Sequence, residues 1–152
     1  MATDSPAAQR GAQGQAGPWV TASIGADHFR TIVNARQHGL ALDEPADVGG
    51  SDRGPTPYEA LLGALGGCTA MTLRMYADRK GWPLEAVHVK LRTDRSHQAD
   101  CANCEKSEVG PHRLERRVEL EGPLTDEQRT RLLQIADRCP VKQALQRGVQ
   151  VV

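Results

Sequence analysis

Four cysteines are the side chains of this sequence best suited to chemistry, because a thiolate is both a nucleophile and a metal ligand. Cys68 and Cys139 each lie on the apolar face of a predicted helix, so the two thiols can meet in the core. They are then either a redox pair or two inert core side chains. Cys101 and Cys104 form a Cys-x-x-Cys pair in a polar segment, with His97 nearby.

The Cys101/Cys104 pair has three possible interpretations. It binds zinc with His97, in which case His112 or the same loop of a second subunit completes the tetrahedral site. It is a dithiol that relays electrons to the buried pair, or it consists of ordinary loop thiols. The residue types leave these alternatives open.

Composition limits the classes of function. The 152 residues include 19 basic and 19 acidic side chains, and this net charge of zero argues against nucleic acid or a membrane as a partner. The N-terminus has no apolar signal segment and no apolar run is long enough to span a membrane, so we expect a cytoplasmic protein with reduced cysteines. Because aromatic residues make up only 3% of the chain, the core is thin and a partner chain would help to cover it. We expect a disordered tail over residues 1–17 and a single domain over residues 18–152.

One long helix organises the predicted fold. Thr56 is the expected N-cap, Glu59 completes a capping box, and Gly81 ends the helix. Arg74 is the single charged residue between Leu61 and Tyr76, so we expect burial almost all round.

Glycines interrupt this helix just before Cys68. Gly63, Gly66 and Gly67 each cost about 1 kcal/mol relative to alanine, which predicts that a bulky neighbour, another helix, packs close to the backbone. Cys68 shares a stripe with four other residues: Leu61, Leu65, Thr72 and Met75.

Alternating apolar residues predict strands before and after the helix. A polar segment of seventeen residues, Arg95–Pro111, is long for a passive connection between two of them. The predicted strands are Trp19–Ile24, Phe29–Val33, Gly39–Leu42, Ala86–Thr93, His112–Leu120 and Val149–Val152.

The C-terminal third carries two features of interest. Arg116 shares the apolar face of its strand, so it lies near a sheet edge or is paired. A second helix starts at a capping box on Thr125 and runs to about Arg138, and Pro140 then begins a last helix. Cys139 therefore occupies an N-cap, where free amides and the helix dipole favour a thiolate. Strands and helices fall into separate blocks, so the predicted class is α+β.

Two stretches carry a family resemblance. GGSDRGPTPYEALLGALGGCTAMTLRMYADRKGWPLEAVHV (residues 49–89) and ADRCPVKQAL (residues 136–145) resemble the OsmC/Ohr family of thiol peroxidases. The resemblance extends over about Trp19–Val152 and is strongest to the branch with a GPxPYE helix start and an acidic CxxC loop.

The resemblance implies both a fold and an activity. The family fold is an intertwined homodimer, with strands of both subunits in each sheet and the long helices packed at the centre. Members reduce organic hydroperoxides without a cofactor, using an external dithiol as reductant. By position, Cys68 matches the peroxidatic cysteine and Cys139 the resolving cysteine. An apolar pocket would suit a fatty or aromatic hydroperoxide better than hydrogen peroxide.

The sequence departs from the family pattern at one position. Family peroxidases carry a glutamate ten residues before the first cysteine, paired with an arginine that lowers the pKa of the thiol. Here Tyr58 holds that position and Glu59, the candidate acid, follows one place later. Arg36 is the first choice for the arginine, with Arg53 and Arg116 as the others. The alternative function is a non-catalytic OsmC-like dimer that binds an apolar ligand, or zinc through the Cys101/Cys104 loop.

Overall fold

The computed structural model describes residues 17–102 and 113–152. Most of the predicted N-terminal tail, together with Cys104 and His112, lies outside these ranges. The class is α+β, as predicted. The strands are β1 Val20–Ile24, β2 Thr31–Ala35, β3 His38–Leu42, β4 Ala86–Thr93 and β5 Leu114–Glu121; the helices are α1 Pro57–Lys80, α2 His97–Cys101, α3 Asp126–Ala136 and α4 Pro140–Arg147.

The first three strands form an antiparallel sheet in the order β1-β2-β3. Strand β2 begins two residues later than predicted, because Phe29 belongs to the turn after β1. In that turn the Arg30 amide donates to the Asp27 carbonyl at 3.2 Å, and His28 has a left-handed backbone with φ 44°. Phe29 was assigned to the strand because it is aromatic, but the local hydrogen bond places it in a turn.

Strands β4 and β5 form a separate antiparallel pair. Val89 lies opposite Val118 and Leu91 lies opposite Arg116, so the predicted apolar face of β4 and the face that carries Arg116 are the same side of the sheet. On the other side, ion pairs such as Lys90–Glu119 at 2.8 Å cross the ladder. The alternation predicted for β4 is confirmed.

Helix α1 has the predicted ends. The Thr56 hydroxyl accepts from the Glu59 amide at 3.3 Å, and the Glu59 carboxylate accepts from the Thr56 amide at 2.8 Å. Gly81 ends the helix in the left-handed conformation, with φ 64°. These two reciprocal bonds satisfy amides that the first turn of a helix otherwise leaves unpaired.

The prediction that α1 is buried almost all round is wrong for a single chain. Met71 and Met75 are 68% and 64% exposed. The buried side overlaps the Cys68 stripe only at Leu65 and consists of Leu65, Gly66, Thr69, Leu73 and Ala77. It packs on β4, α3 and α4.

The three glycines of α1 have different surroundings. A Cβ on Gly66 would lie 2.8 Å from Leu91 Cδ1, so the close neighbour is a strand side chain and not the helix that was predicted. Around Gly63 and Gly67 no other described atom lies within 4 Å of the Cβ position. Only one of the three glycines is therefore explained by packing within the chain.

The hydrophobic core lies between α1, α3 and the β4–β5 pair. Its buried members are Leu73, Ala77, Leu84, Leu124, Leu132, Ile135 and Ala136. Thr125 caps α3 with the predicted capping box, and Cys139 is the N-cap of α4. The predicted strand Val149–Val152 is wrong: these residues are exposed and pair with no strand of the described chain. No helix within residues 17–102 and 113–152 combines the length and apolarity needed to cross a bilayer.

Candidate active site

The Cys68 and Cys139 thiols lie close enough that each shifts the pKa of the other. Cys68 lies in the middle of α1 and is half-buried, whereas Cys139 has no exposed surface. Helix α1 packs on both α3 and α4, and Cys139 occupies the corner between those two helices. A small molecule from solvent therefore reaches Cys68 more easily than Cys139.

Donor groups surround the Cys139 sulfur. Burial by itself raises the pKa of this thiol, but hydrogen bonds from the Cys68 thiol, the Lys142 amide, the Thr69 hydroxyl and the Val141 amide outweigh it, so the net pKa is lowered. The thiol makes no regular capping hydrogen bond, yet the two amides lie close enough to stabilise its thiolate. This is the effect expected of an N-cap position, where amides are unpaired and the helix dipole is positive.

The pKa of Cys68 moves in the opposite direction. Burial raises it, and so does the hydrogen bond to Cys139, while the Val141 amide and the Thr72 hydroxyl oppose the rise only in part. When this coupled pair ionises, the first proton is therefore lost more readily from Cys139 than from Cys68.

Arg116 is the arginine that the fold brings towards this pair. Its guanidinium donates to the Thr69 hydroxyl at 3.2 Å, to the Ala136 carbonyl at 2.8 Å and to the Asp137 carboxylate at 2.8 Å. The side chain is only 15% exposed. Of the two sequence-based alternatives for Arg116, the structure thus shows a paired arginine on the inner face of the sheet.

The Thr69 hydroxyl connects Arg116 to Cys139. It has one proton, which it donates to the Leu65 carbonyl at 2.8 Å or to the Cys139 sulfur. The Arg116 guanidinium donates to the same oxygen, which accepts through a lone pair. Arg116 therefore orients the Thr69 hydroxyl without a bond to either sulfur. Sequence reasoning missed Thr69, although a hydroxyl residue directly after Cys68 in a mostly apolar helix was a usable signal.

The other predicted site residues lie elsewhere in the single chain. Arg36 is exposed at the turn between β2 and β3, with φ 58°. Arg53 is exposed in the loop before α1, where its amide donates to Asp43 at 3.2 Å. Glu59 lies nine residues before Cys68, which is about 13.5 Å along the axis of an ideal helix.

Replacing Glu59 separates a capping role from a catalytic one. If Glu59 only caps α1, Glu59→Ala lowers the free energy of unfolding by about 1 kcal/mol and leaves hydroperoxide turnover unchanged. Gln128→Ala, which removes the same motif from α3, is the matched control for the stability loss. Urea unfolding and turnover are measured on both variants. A loss of turnover in Glu59→Ala alone would assign Glu59 to the catalytic machinery.

A cleft of about 490 Å³ lies on the side of Arg116 and Lys142, and neither cysteine lines it. Arg116 bonds to Thr69, and the Lys142 amide lowers the pKa of Cys139, so two lining residues also contact the surroundings of the thiol pair. Its lining combines three leucines with three cationic side chains. These residues, with one glutamine, are Leu65, Leu114, Leu145, Arg113, Arg116, Lys142 and Gln146. Such a lining fits a molecule with an apolar body and a polar or anionic end.

Tyr58, which replaces the family glutamate, is an anchor for α2. Its hydroxyl donates to the Asp100 carboxylate at 2.5 Å, and this bond raises the pKa of Tyr58 to about 12. Arg95 holds the same carboxylate through its Nε at 2.9 Å and through its Nη2. Because Tyr58 stays protonated at any physiological pH, it does not replace the glutamate as an acid–base group.

The predicted zinc ligands lie partly outside the described residues, since Cys104 is within 103–112. His97 and Cys101 do lie side by side, with His97 Nε2 at 3.4 Å from Cys101 Sγ. Within residues 17–102 and 113–152 no three metal-ligating side chains gather around one point. The zinc interpretation therefore stays a prediction.

Known proteins share this fold. Residues 49–152 match the family model described as OsmC-like protein. An OsmC like protein from Mycoplasma pneumoniae has a TM-score of 0.70 and 21% identity, over 88% of this chain and 89% of that one. The organic hydroperoxide resistance protein OhrB of Bacillus subtilis has a TM-score of 0.55 and 16% identity, over 88% and 93%. An organic hydroperoxide resistance protein OsmC from Legionella pneumophila has a TM-score of 0.60 and 16% identity, over 86% and 91%. No curated protein matches the sequence.

Proposed function

Because the chain belongs to the OsmC family, we propose that it is a thiol peroxidase that reduces organic hydroperoxides through Cys68 and Cys139. The observation that carries this proposal is that the two thiols lie together and that Cys139, at the N-terminus of α4, has a lowered pKa. Two buried core cysteines would need neither the helix N-terminus nor the Thr69 hydroxyl. The names of the Bacillus and Legionella neighbours, both organic hydroperoxide resistance proteins, support a role in the response to peroxide stress.

Cys68 attacks the peroxide, since it is the more accessible of the two thiols. Its proton first moves along the hydrogen bond to the Cys139 thiolate. The Cys68 thiolate then displaces an alkoxide from the hydroperoxide and becomes a sulfenic acid. The Cys139 thiol protonates the alkoxide to the alcohol and is again a thiolate.

The second half of the reaction forms a disulfide. The Cys139 thiolate attacks the Cys68 sulfenic sulfur and displaces hydroxide. The sum is one thiol, one thiolate and one hydroperoxide giving one disulfide, one alcohol and one hydroxide. An external dithiol then reduces the disulfide by exchange, and its own sulfurs are oxidised.

The cleft beside the pair favours hydroperoxides with an organic body. Leu65, Leu114 and Leu145 offer apolar contact that hydrogen peroxide cannot use. Arg113 and Lys142 offer positive charge for a carboxylate at the other end of a fatty hydroperoxide. We therefore expect turnover to rise from hydrogen peroxide to tert-butyl and cumene hydroperoxide.

Peroxide consumption with dithiothreitol as reductant tests the proposal. The wild type should consume cumene hydroperoxide, and Cys68→Ser should fall to the rate without protein. Cys101→Ser is the matched control, because it removes a thiol outside the pair and should keep the wild-type rate. If the wild type consumes no more peroxide than Cys68→Ser, the proposal is wrong.

We also propose that the working form is a homodimer, as the family resemblance implies. Its support is apolar surface that the single chain leaves open, on α1 and on the β1–β3 sheet. The exposed residues are Trp19, Val20, Ile24, Phe29, Ile32, Leu40, Leu61, Met71 and Met75. The open sides of Gly63 and Gly67 would let a second α1 approach closely. Sedimentation equilibrium giving the monomer mass at micromolar concentration would contradict the dimer.

A further inference from the structure

Helix α2 has only five residues, too few for a stable isolated helix, so contacts with the rest of the chain must stabilise it. The Asp100 carboxylate, only 5% exposed, accepts from both Tyr58 and Arg95. Tyr58 belongs to α1, and its ring also packs edge-on against His97 with 6.2 Å between ring centroids. These contacts fix both ends of α2 against the start of α1, and so they fix the positions of His97 and Cys101.

His97 and Cys101, at the two ends of α2, form a chain of three titratable groups with Glu44 from the loop between β3 and α1. His97 Nδ1 lies 2.6 Å from the Glu44 carboxylate, and His97 Nε2 lies 3.4 Å from Cys101 Sγ. The Glu44 side chain is only 8% exposed. Because a carboxylate can only accept, His97 directs an Nδ1–H at Glu44, and in this tautomer of the neutral ring Nε2 faces the thiol as an acceptor.

We propose that Glu44, His97 and Cys101 form a second thiol centre, in which His97 deprotonates Cys101 for attack on small disulfides. An acid, an imidazole and a thiol joined in this order are the arrangement that activates a cysteine nucleophile. Burial of Glu44 keeps the imidazole in one tautomer and one orientation, as the third member of such a group does. His97 and Cys101 are four residues apart on one helix, which places them on the same face.

The reaction is a thiol–disulfide exchange. His97 Nε2 takes the Cys101 proton, and the thiolate attacks one sulfur of the disulfide. A new bond joins Cys101 to that sulfur as the old sulfur–sulfur bond breaks. The second sulfur leaves as a thiolate and receives the proton from His97. No further oxidant or reductant is needed, because the disulfide is reduced as Cys101 is oxidised.

Space for the substrate lies beside this centre. A cavity of about 580 Å³ is lined by Glu44, His97 and Tyr58 together with the apolar side chains of Leu62 and Leu91. This volume is large enough for a low-molecular-weight disulfide; Cys101 does not line the cavity, but its sulfur lies 3.4 Å from Nε2 of His97, which does. Cys101 itself is exposed, so its sulfur is accessible to the same molecules. The centre does not depend on the proposed peroxidase reaction.

Mixed-disulfide formation with bis(2-hydroxyethyl) disulfide tests the second centre. The full chain with Cys104→Ser is the parent, because Cys104 could otherwise displace the adduct. Samples are quenched with acid, and the adduct on Cys101 is quantified by peptide mass mapping. An ordinary thiol with a pKa near 8.5 is only about 3% ionised at pH 7. Lowering its pKa to about 7 raises the ionised fraction about sixteenfold, and the accompanying loss of nucleophilicity takes back about fivefold, so the rate rises about threefold. We expect that excess over the same chain unfolded in urea.

Two variants in the same parent identify the base. His97→Gln should bring the Cys101 rate down to that of the unfolded chain, and Glu44→Gln should remove part of the excess. His88→Ala removes a histidine that also pairs with a glutamate, Glu121 at 2.9 Å, and should leave the rate unchanged. Circular dichroism verifies the fold of each variant.

Three results would overturn the inference. One is a parent rate no higher than that of the unfolded chain, and another is an unchanged rate in both His97→Gln and Glu44→Gln. The third is that the wild-type protein contains about one equivalent of zinc and that Cys101 reacts with the disulfide only after a chelator is added. That last result would instead establish the zinc site.

Discussion

Cys139→Ser is expected to stop the reaction at a sulfenic acid on Cys68. Among the described residues no other sulfur lies beside Cys68 to form the disulfide, so the oxidised Cys68 persists until it is trapped. The oxidation itself should be slower than in the wild type, because serine cannot take the Cys68 proton as the Cys139 thiolate does. Adding cumene hydroperoxide and dimedone without reductant should label Cys68 with about one equivalent, as measured by peptide mass mapping. The wild type under the same conditions should form the Cys68–Cys139 disulfide and carry little label.

The reciprocal variant decides which sulfur attacks. Cys68→Ser should carry no dimedone label, because Cys139 has no exposed surface for a peroxide to reach. Cys139 is nevertheless the thiol whose pKa is lowered, because hydrogen bonds from Cys68, Lys142, Thr69 and Val141 outweigh the effect of its burial. A label on Cys139 in Cys68→Ser would reverse the two roles.

The pH dependence has a definite sign. Because the pKa of Cys139 is lowered, its thiolate persists at pH values below the ordinary thiol pKa of about 8.5. The rate of disulfide formation in the wild type should therefore hold as the pH falls below that value, and should decline only as the pH passes through the lowered pKa. Stopped-flow mixing with cumene hydroperoxide between pH 5 and pH 9 measures this rate. A decline that begins near pH 8.5 would contradict the lowered pKa of Cys139.

Arg116→Ala is expected to produce the second large effect, on stability and on the thiol pair together. The guanidinium joins β5 to the end of α3 through the Ala136 carbonyl and Asp137, and it orients Thr69. Without the guanidinium, the carbonyl of the buried Ala136 loses this hydrogen bond, which lowers the free energy of unfolding by about 1–3 kcal/mol. The midpoint of the pH profile for disulfide formation should also move up, because Thr69 and the corner that carries Cys139 are less well held.

Arg117→Ala is the matched control for Arg116. Arg117 is the next residue on the same strand, but its side chain is 71% exposed and bonds only to Glu115 among the described residues. A surface pair of this kind contributes at most about 1 kcal/mol. Arg116→Lys keeps the charge but lacks the planar fork, so it should recover only part of the stability. Urea unfolding and the pH profile are measured on all three variants, and equal effects of Arg116→Ala and Arg117→Ala would remove Arg116 from the site.

Local features of the fold were predictable because they depend on neighbours in sequence. The capping boxes at Thr56 and Thr125, the end of α1 at Gly81 and the N-cap at Cys139 all follow from residues within one helical turn. The alternation of β4 follows in the same way. The predicted strand at Val149–Val152 failed for the converse reason, because β-branched residues form a strand only where another strand pairs with them.

The starting feature of the chain, its cysteines, shows where the sequence by itself stops. Residue types and spacing determined that Cys68 lies in a long helix, that Cys139 begins a short one and that His97 and Cys101 are close. Only the tertiary structure decided that the first two thiols lie together with their pKa values shifted in opposite directions, and that Arg116 rather than Arg36 bonds to Thr69 beside them within the chain. Only the tertiary structure placed Glu44 and Tyr58 against α2. These contacts join residues more than forty positions apart, and their energies depend on burial and on donor geometry, which no local pattern encodes.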